Sequence, residues 1–142
     1  MALQDVIDRM QDKIEAITGI KGASNYLPES LPSTENWVVL YPGASQFIGG
    51  MPAGMMTALY SVVIEVHTPR TNLPASIKRI MPYFSTIPNA LYDDLFDGYL
   101  NNTVSTIGDI ISSGLISMSY AGIDTVGFRY TVNGIKIQST VS

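Results

Sequence analysis

This 142-residue chain lacks several features, and each shortage excludes a class of function. It has no cysteine, which excludes disulfides and thiolate chemistry and leaves the redox compartment open. No window approaches 18 uncharged apolar residues, so a membrane-spanning helix is not expected. The chain contains eight basic and 12 acidic residues, which gives a net charge of −4. Because there is no basic stripe to bind a phosphate backbone, a DNA-reading role is disfavoured.

Charged residues of either sign are also scarce, at 14% of the chain against ~25% in typical soluble proteins. A soluble chain with so little charge often buries part of its surface in an assembly. The length predicts a single domain, residues 1–142, with a substantial core. Residues 1–17 are amphipathic and acid-rich, unlike a signal peptide. We therefore expect the protein to be located in the cytoplasm, or in a particle assembled there.

The longest β-like run is Thr57–Thr68, which is rich in Tyr, Val and Ile and contains neither Gly nor Pro. Alternation gives it one wholly apolar side, formed by Ala58, Tyr60, Val62, Ile64 and Val66. Its other side is mixed and consists of Thr57, Leu59, Ser61, Val63, Glu65 and His67. This pattern predicts a central strand with one face on a core.

The segments before this strand are predicted from their periodicity and composition. Residues 2–18 carry apolar side chains at three- and four-residue steps, which predicts a helix packed on the sheet. Lys21–Asn36 contains three Ser and two Pro and is predicted to be an exposed connection. Trp37–Tyr41 predicts a short strand, closed by a turn at Pro42-Gly43.

Residues 42–56 have the most unusual composition, with six Gly or Pro in 13 positions. A phosphate-binding P-loop is not expected, because the segment contains no Lys or Arg. A mobile hairpin loop is one interpretation. We favour an adaptable apolar loop that orders against a neighbouring subunit, because Met-rich surfaces repack readily. Its candidate interface residues are Phe47, Ile48, Met51, Met55 and Met56.

Two helical segments are predicted after the central strand. The first has an apolar stripe through Phe84 and is bent or ended by Pro82. The second starts near Thr86–Pro88, and its acidic residues Asp93, Asp94 and Asp97 are predicted to face outward. Such carboxylates suggest a divalent-cation site or a carboxylate pair, but adjacent helical residues diverge, which favours a solvated face. Residues 101–113 then give no consistent pattern.

Two strands are predicted towards the C-terminus. Residues 116–120 alternate apolar side chains with serines, a turn follows at 121–122, and residues 126–132 alternate again. At Asn133-Gly134 the apolar phase flips. A type I′ hairpin explains the flip, and so does a bulge in one long strand. We favour the hairpin.

The single histidine, His67, lies two residues after Glu65 and on the same face of the predicted strand. A Glu-x-His pair suggests general-base catalysis or a metal ligand. However, a metal site needs three or four ligands, and only carboxylates remain to complete one. We favour a hydrogen-bonded or exposed strand-end histidine. The sequence therefore predicts no catalytic, cofactor or metal site.

Three segments give the chain a family resemblance: Val38–Gly43, Tyr60–Arg70 and Tyr120–Val132. In these segments, and in the order and length of its elements, the chain resembles the tail terminator (tail completion) proteins of long-tailed bacteriophages. The similarity extends from Met1 to about Val132. It lies in element order and composition, and no invariant motif carries it.

The resemblance implies an α+β fold: a mainly antiparallel sheet with helices packed on one face. It also implies a hexameric ring that caps the tail tube, ends its polymerisation and provides the surface that joins the head. The expected partners are other copies of the chain, the tail tube protein and a head-closure or neck protein. The expected location is the tail–neck junction of a virion assembled in the host cytoplasm.

On this reading, residues 44–56 lie at a subunit or tube interface. Asp93, Asp94 and Asp97 are candidates for a charged surface facing the lumen or a partner. A net acidic ring would repel DNA phosphates, so that the genome passes through without specific binding.

The sequence leaves two alternatives open. The chain could be another neck or head-closure protein, or a tail-tube subunit, which would polymerise where a terminator stops at one ring. It could also be a small cytoplasmic ligand-binding domain or enzyme that uses Glu65 and His67. That alternative predicts a closed pocket containing His67 and loss of activity in His67→Ala.

Overall fold

The structure, a computed structural model, describes most of the chain as helices and strands. The described residues are 3–17, 20, 22–25, 36–49, 55–70, 73–97, 109–120 and 122–140. Their elements, in chain order, are α1 (Leu3–Glu15), β1 (Gly22–Asn25), β2 (Trp37–Pro42), β3 (Gln46–Gly49), β4 (Met55–Pro69), α2 (Leu73–Ile80), α3 (Tyr83–Asp97), β5 (Ile110–Tyr120) and β6 (Ile123–Thr140).

Strands β4 and β6, of 15 and 18 residues, form the centre of the sheet. They pair antiparallel from Met55–Thr140 at one end to Pro69–Thr125 at the other. The sheet order is β1-β2-β4-β6-β5, and β3 pairs with β4 beyond the end of β2. Only the β1–β2 pair is parallel among the described strands.

One core joins the helices to a single face of the sheet. The apolar side predicted for the central strand lies in this core through Val62, Ile64 and Val66. The helices contribute Val6, Ile7, Met10 and Ile14 from α1, Ile80 from α2, and Ile87 and Leu91 from α3. The predicted fold class is therefore confirmed: the chain is α+β, with a mainly antiparallel sheet and helices packed on one face.

The prediction that Lys21–Asn36 is wholly an exposed connection is wrong in part. Gly22–Asn25 forms β1, which pairs with β2, and Asn36 is buried and accepts a hydrogen bond from Thr68 Oγ1 at 2.7 Å. The composition of β1 gave no strand signal, because Gly, Ser and Asn are poor strand formers. Tertiary pairing overrides that local preference.

The prediction of a hairpin at Asn133-Gly134 is also wrong. β6 runs continuously through these residues, and the register with β4 shifts between Tyr60 and Val62. The alternative, a β-bulge, accounts for the flip, because one extra residue brings Val132 and Ile135 to the same face. Gly134 has φ 70°, a conformation that suits a bulge as well as a tight turn. The continuous strand keeps the first half of β4 paired.

The two prolines of the helical region act differently. α2 ends at Ile80, before Pro82, as expected, but α3 already begins at Tyr83 and contains Pro88 in its interior. Pro88 has no N–H, so the carbonyl four residues earlier, that of Phe84, loses its helical donor. The buried Tyr130 hydroxyl of β6 donates to this carbonyl at 2.6 Å. The sheet thus supplies the hydrogen bond that the proline removes. Because α3 accommodates Pro88 in its interior, the helix begins at Tyr83, earlier than the predicted start near residue 86.

We expect Tyr130→Phe to lower the free energy of unfolding by about 1.5 kcal/mol, because it leaves the Phe84 carbonyl without its donor. In a Pro88→Ala background the restored amide can donate to the same carbonyl, so the cost of Tyr130→Phe should fall below about 0.5 kcal/mol. Urea unfolding of the four proteins measures both costs. Equal costs in the two backgrounds would show that the hydroxyl does not compensate for the proline.

Candidate functional site

Part of the predicted apolar loop is a strand. Gln46–Gly49 forms β3, which pairs antiparallel with residues 56–59 of β4, so the prediction of a loop is wrong for these four residues. Phe47 lies opposite Ala58 and packs edge-on against Tyr60, with ring centroids 5.8 Å apart. These contacts fix the strand in the sheet.

The link from β2 to β3 is held by the backbone and side chain of Ser61. Gly43 N donates to Ser61 O at 2.8 Å, and Ser61 Oγ donates to Ala44 O at 2.8 Å. A side chain at Gly43 would collide with the Ser61 hydroxyl. Position 43 therefore needs glycine, which has no side chain, for the chain to pass close to Ser61. From there the chain continues from β2 into β3 along the same edge of β4.

β3 exposes apolar side chains at an edge of the sheet. Phe47 is 59% exposed and Ile48 is 42% exposed. Ile48 lies opposite Thr57, on the other face from Phe47, so the strand is apolar on both faces. An exposed apolar edge of this kind is typical of an interaction surface. Phe47 and Ile48 are two of the five predicted interface residues.

The other predicted residues are placed only in part. Met51 lies outside the described residues. The backbone of Met55 and Met56 begins β4, and their side chains lie outside what the structure describes. The same holds for Asp93, Asp94 and Asp97, whose backbone lies in α3. Their assignment to an interface and to a charged surface remains a prediction.

A polar cluster lies on the face of the sheet opposite the helices, around Glu65. Glu65 Oε2 accepts hydrogen bonds from Tyr41 OH at 2.5 Å and from Arg129 Nε at 3.0 Å. Its other oxygen lies 3.0 Å from His67 Nε2. The Glu65 side chain is 8% exposed and that of Arg129 is 44% exposed. The carboxylate thus joins three adjacent strands, β2, β4 and β6.

The surroundings of Glu65 keep it ionised. Burial opposes its charge, but the hydrogen bonds from His67 and Tyr41 and the charge of Arg129 outweigh burial and lower the pKa of Glu65 to about 2. Burial and the adjacent carboxylate raise the pKa of Tyr41 to about 12, so this hydroxyl keeps its proton and donates. A carboxylate with such a low pKa is a poor general base near neutral pH.

His67 is hydrogen-bonded, as predicted, and it is buried. An ionised carboxylate only accepts, so the Nε2 that faces Glu65 carries a proton. Nδ1 lies 2.7 Å from Thr125 Oγ1. Both ring nitrogens are therefore engaged within the sheet. Sequence reasoning paired Glu65 with His67 but missed Tyr41, Thr125 and Arg129, which only the strand register brings together.

A cavity of about 510 Å³ lies beside this cluster. It is lined by Tyr41, Glu65, Ile116, Ser117, Met118, Ser119 and Arg129. His67 is not among these residues, so this cavity is not the closed His67 pocket that the enzyme alternative requires. Within the described ranges, no group of three or more His, Asp or Glu residues is placed to hold a metal ion. No helix in that part of the chain is long and apolar enough to cross a membrane.

Comparison with known proteins gives no family for this chain. No protein-family model and no curated protein sequence matches it.

Proposed function

We propose that this chain is a structural virion protein whose copies form a ring that caps a phage tail tube, ends its polymerisation and joins the head. The observation that supports this most is the exposed apolar edge at Phe47 and Ile48. On the tail-terminator interpretation of the sequence, this segment, residues 44–56, lies at a subunit or tube interface. Exposed apolar side chains on an edge strand gain stability when another protein buries them.

The polar chemistry of the described residues supports a structural role. Glu65 is ionised and accepts from Tyr41 and Arg129, while both ring nitrogens of His67 lie within hydrogen-bonding distance of neighbouring side chains. These groups stabilise the sheet, and the lowered pKa of Glu65 makes this carboxylate a poor general base near neutral pH. The net charge of −4 would give a ring a lumen that repels DNA phosphates.

A tail-tube subunit is the second candidate, because it would present the same apolar edge. The two functions differ in where assembly stops. A terminator forms one ring and caps tube protein, whereas a tube subunit extends into long polymers.

We expect Phe47→Asp to abolish ring formation while leaving the subunit folded, because a buried, unpaired carboxylate is strongly unfavourable at an apolar interface. Leu73→Asp is the control, since it also introduces an Asp at an exposed large apolar residue, here at the start of α2. Light scattering gives the assembled mass and circular dichroism the fold. Because Gln46–Gly49 is a strand of the sheet, a point substitution tests the interface without removing a strand. A Phe47→Asp protein that still forms the wild-type assembly would contradict the proposed interface.

A further inference from the structure

Strand β5 forms an open edge of the sheet that the proposed interface does not use. Among the described strands it pairs only with β6. Its sequence, IISSGLISMSY, contains no charged residue and no proline. Charges and prolines are the usual means of preventing an edge strand from pairing with another chain. Ile111 is 54% exposed and Leu115 is 42% exposed, so this edge also presents apolar side chains.

The pairing of β5 with β6 is irregular around Ser113 and Gly114. Gly114 N donates to Ser112 Oγ at 3.0 Å, and Arg129 N donates to Ser113 Oγ at 3.0 Å, at the point where the register with β6 shifts. These bonds use hydroxyls in place of a regular ladder. The stretch suited to pairing with a further strand is therefore 115–119.

The opposite side of the sheet offers a matching edge. Among the described strands, β3 pairs only with β4. Its residues, QFIG, are uncharged and include the exposed Phe47 and Ile48. The neighbouring edge strand, β1, is different, because the Ala23 carbonyl accepts a hydrogen bond from Gln11 Nε2 of α1 at 2.8 Å.

The strand directions allow these two edges to meet. β3, β4, β6 and β5 lie side by side and each pair is antiparallel. β3 and β5 therefore run in opposite directions. When copies repeat side by side in the same orientation, β3 of one copy lies antiparallel to β5 of the next, and the alternation continues across the boundary.

We propose that β5 of one copy receives β3 of the next copy as an antiparallel strand, so that the sheet continues from subunit to subunit. The inference rests on the proposed function, because it names the surface that the apolar β3 edge binds. Backbone hydrogen bonds satisfy both edges. The contact joins two different patches on opposite sides of the subunit, as a head-to-tail ring requires. Both patches are uncharged in a chain of net charge −4, so assembly does not bring like charges together.

Amide hydrogen exchange of Phe47→Asp tests the pairing. Within one chain, β4 and β6 separate β3 from β5, so a change at Phe47 reaches β5 through a neighbouring copy. We expect the amides of residues 115–119 to exchange at least tenfold faster in Phe47→Asp than in the assembled wild-type protein. Leu73→Asp should leave them at the wild-type rate.

Cysteine cross-linking provides a second measurement, since the natural chain has no cysteine. Under oxidation, Gln46→Cys chains mixed with Ser117→Cys chains should form mixed dimers in clear excess over either homodimer. Ser119→Cys samples a second register, two residues further along the strand. A disulfide requires Cα atoms within about 7 Å, so only strands in direct contact will react efficiently.

The outcomes separate this inference from the proposed function. One outcome would overturn the β3–β5 pairing and leave the proposed ring intact. In that outcome, wild-type rings form, residues 115–119 exchange equally in Phe47→Asp and wild type, and no mixed dimer accumulates. Preferential homodimers would also overturn the pairing, because they indicate a two-fold contact. A wild-type protein that stays monomeric would overturn both.

Discussion

Gly127→Ala is expected to lower the free energy of unfolding by about 4 kcal/mol, a loss in the range reserved for severe core defects. The added Cβ would lie 2.8 Å from the carbonyl carbon of Val66 and overlap its oxygen. It would also lie 3.1 Å from Ile80 Cδ1 on α2. The backbone of β4 cannot rotate away like a side chain, so the central strand pair must separate to relieve the collision.

Gly114→Ala is the matched control for this substitution. Gly114 has a positive φ of 74° and no atom within 4 Å of the added Cβ. Gly114→Ala should lower the free energy of unfolding by about 1 to 2 kcal/mol, and this loss comes only from the left-handed backbone conformation. Urea unfolding followed by circular dichroism measures both variants. Equal losses would show that close strand packing at Gly127 contributes nothing beyond backbone preference.

Glu65→Gln is expected to lower the free energy of unfolding by about 3 kcal/mol at pH 7. The substitution keeps the size of the side chain but removes the charge that Tyr41, Arg129 and His67 stabilise. Breaking one partner of a buried charge network typically costs about 3–5 kcal/mol. The partly exposed guanidinium of Arg129 can be solvated, which places the expected value at the lower end.

The pH dependence of this difference identifies its cause. The pKa of Glu65 is lowered from 4.5 in the unfolded reference to about 2 in the fold. Its contribution is therefore fully present above pH 4.5 and is lost as the pH falls towards 2. The stability curves of wild type and Glu65→Gln should converge over this window. A difference that stays constant from pH 7 to pH 2 would mean that lost packing, rather than lost charge, causes the effect.

Tyr41→Phe is a useful comparison at the same site. It removes one donor to Glu65 and keeps the charge, so we expect a smaller loss of about 1.5 kcal/mol. It should also raise the pKa of Glu65, because a hydrogen bond to the charged form is lost. The acid-dependent loss of stability should therefore begin near pH 4.5, as in wild type, but level off at a higher pH, because it ends at the folded-state pKa of Glu65.

Periodicity predicted the parts of the fold in which side-chain burial determines structure. The apolar face of β4 and the stripe on α1 are both buried in the core. Periodicity failed where long-range backbone pairing or a single hydrogen bond decides the outcome. Gly22–Asn25 is a strand because β2 lies beside it, and Pro88 is accommodated inside α3 by a hydroxyl from a distant strand.

The polar cluster shows the same limit. Glu65 and His67 are two residues apart, so their shared face follows from strand geometry alone. Tyr41 and Arg129 join them only because β2 and β6 flank β4 in one particular register. A one-residue slip would turn these side chains to the other face. The bulge at Asn133-Gly134 likewise could not be separated from a hairpin, because both use a glycine with positive φ.

The mass of the assembled protein, measured by light scattering alone and after mixing with tail tube protein, tests the central proposal most directly. We predict a single closed oligomer that binds tube protein and limits its growth to capped tubes. A stable monomer that leaves tube polymerisation unchanged, or a chain that itself grows into long polymers, would contradict the proposed function.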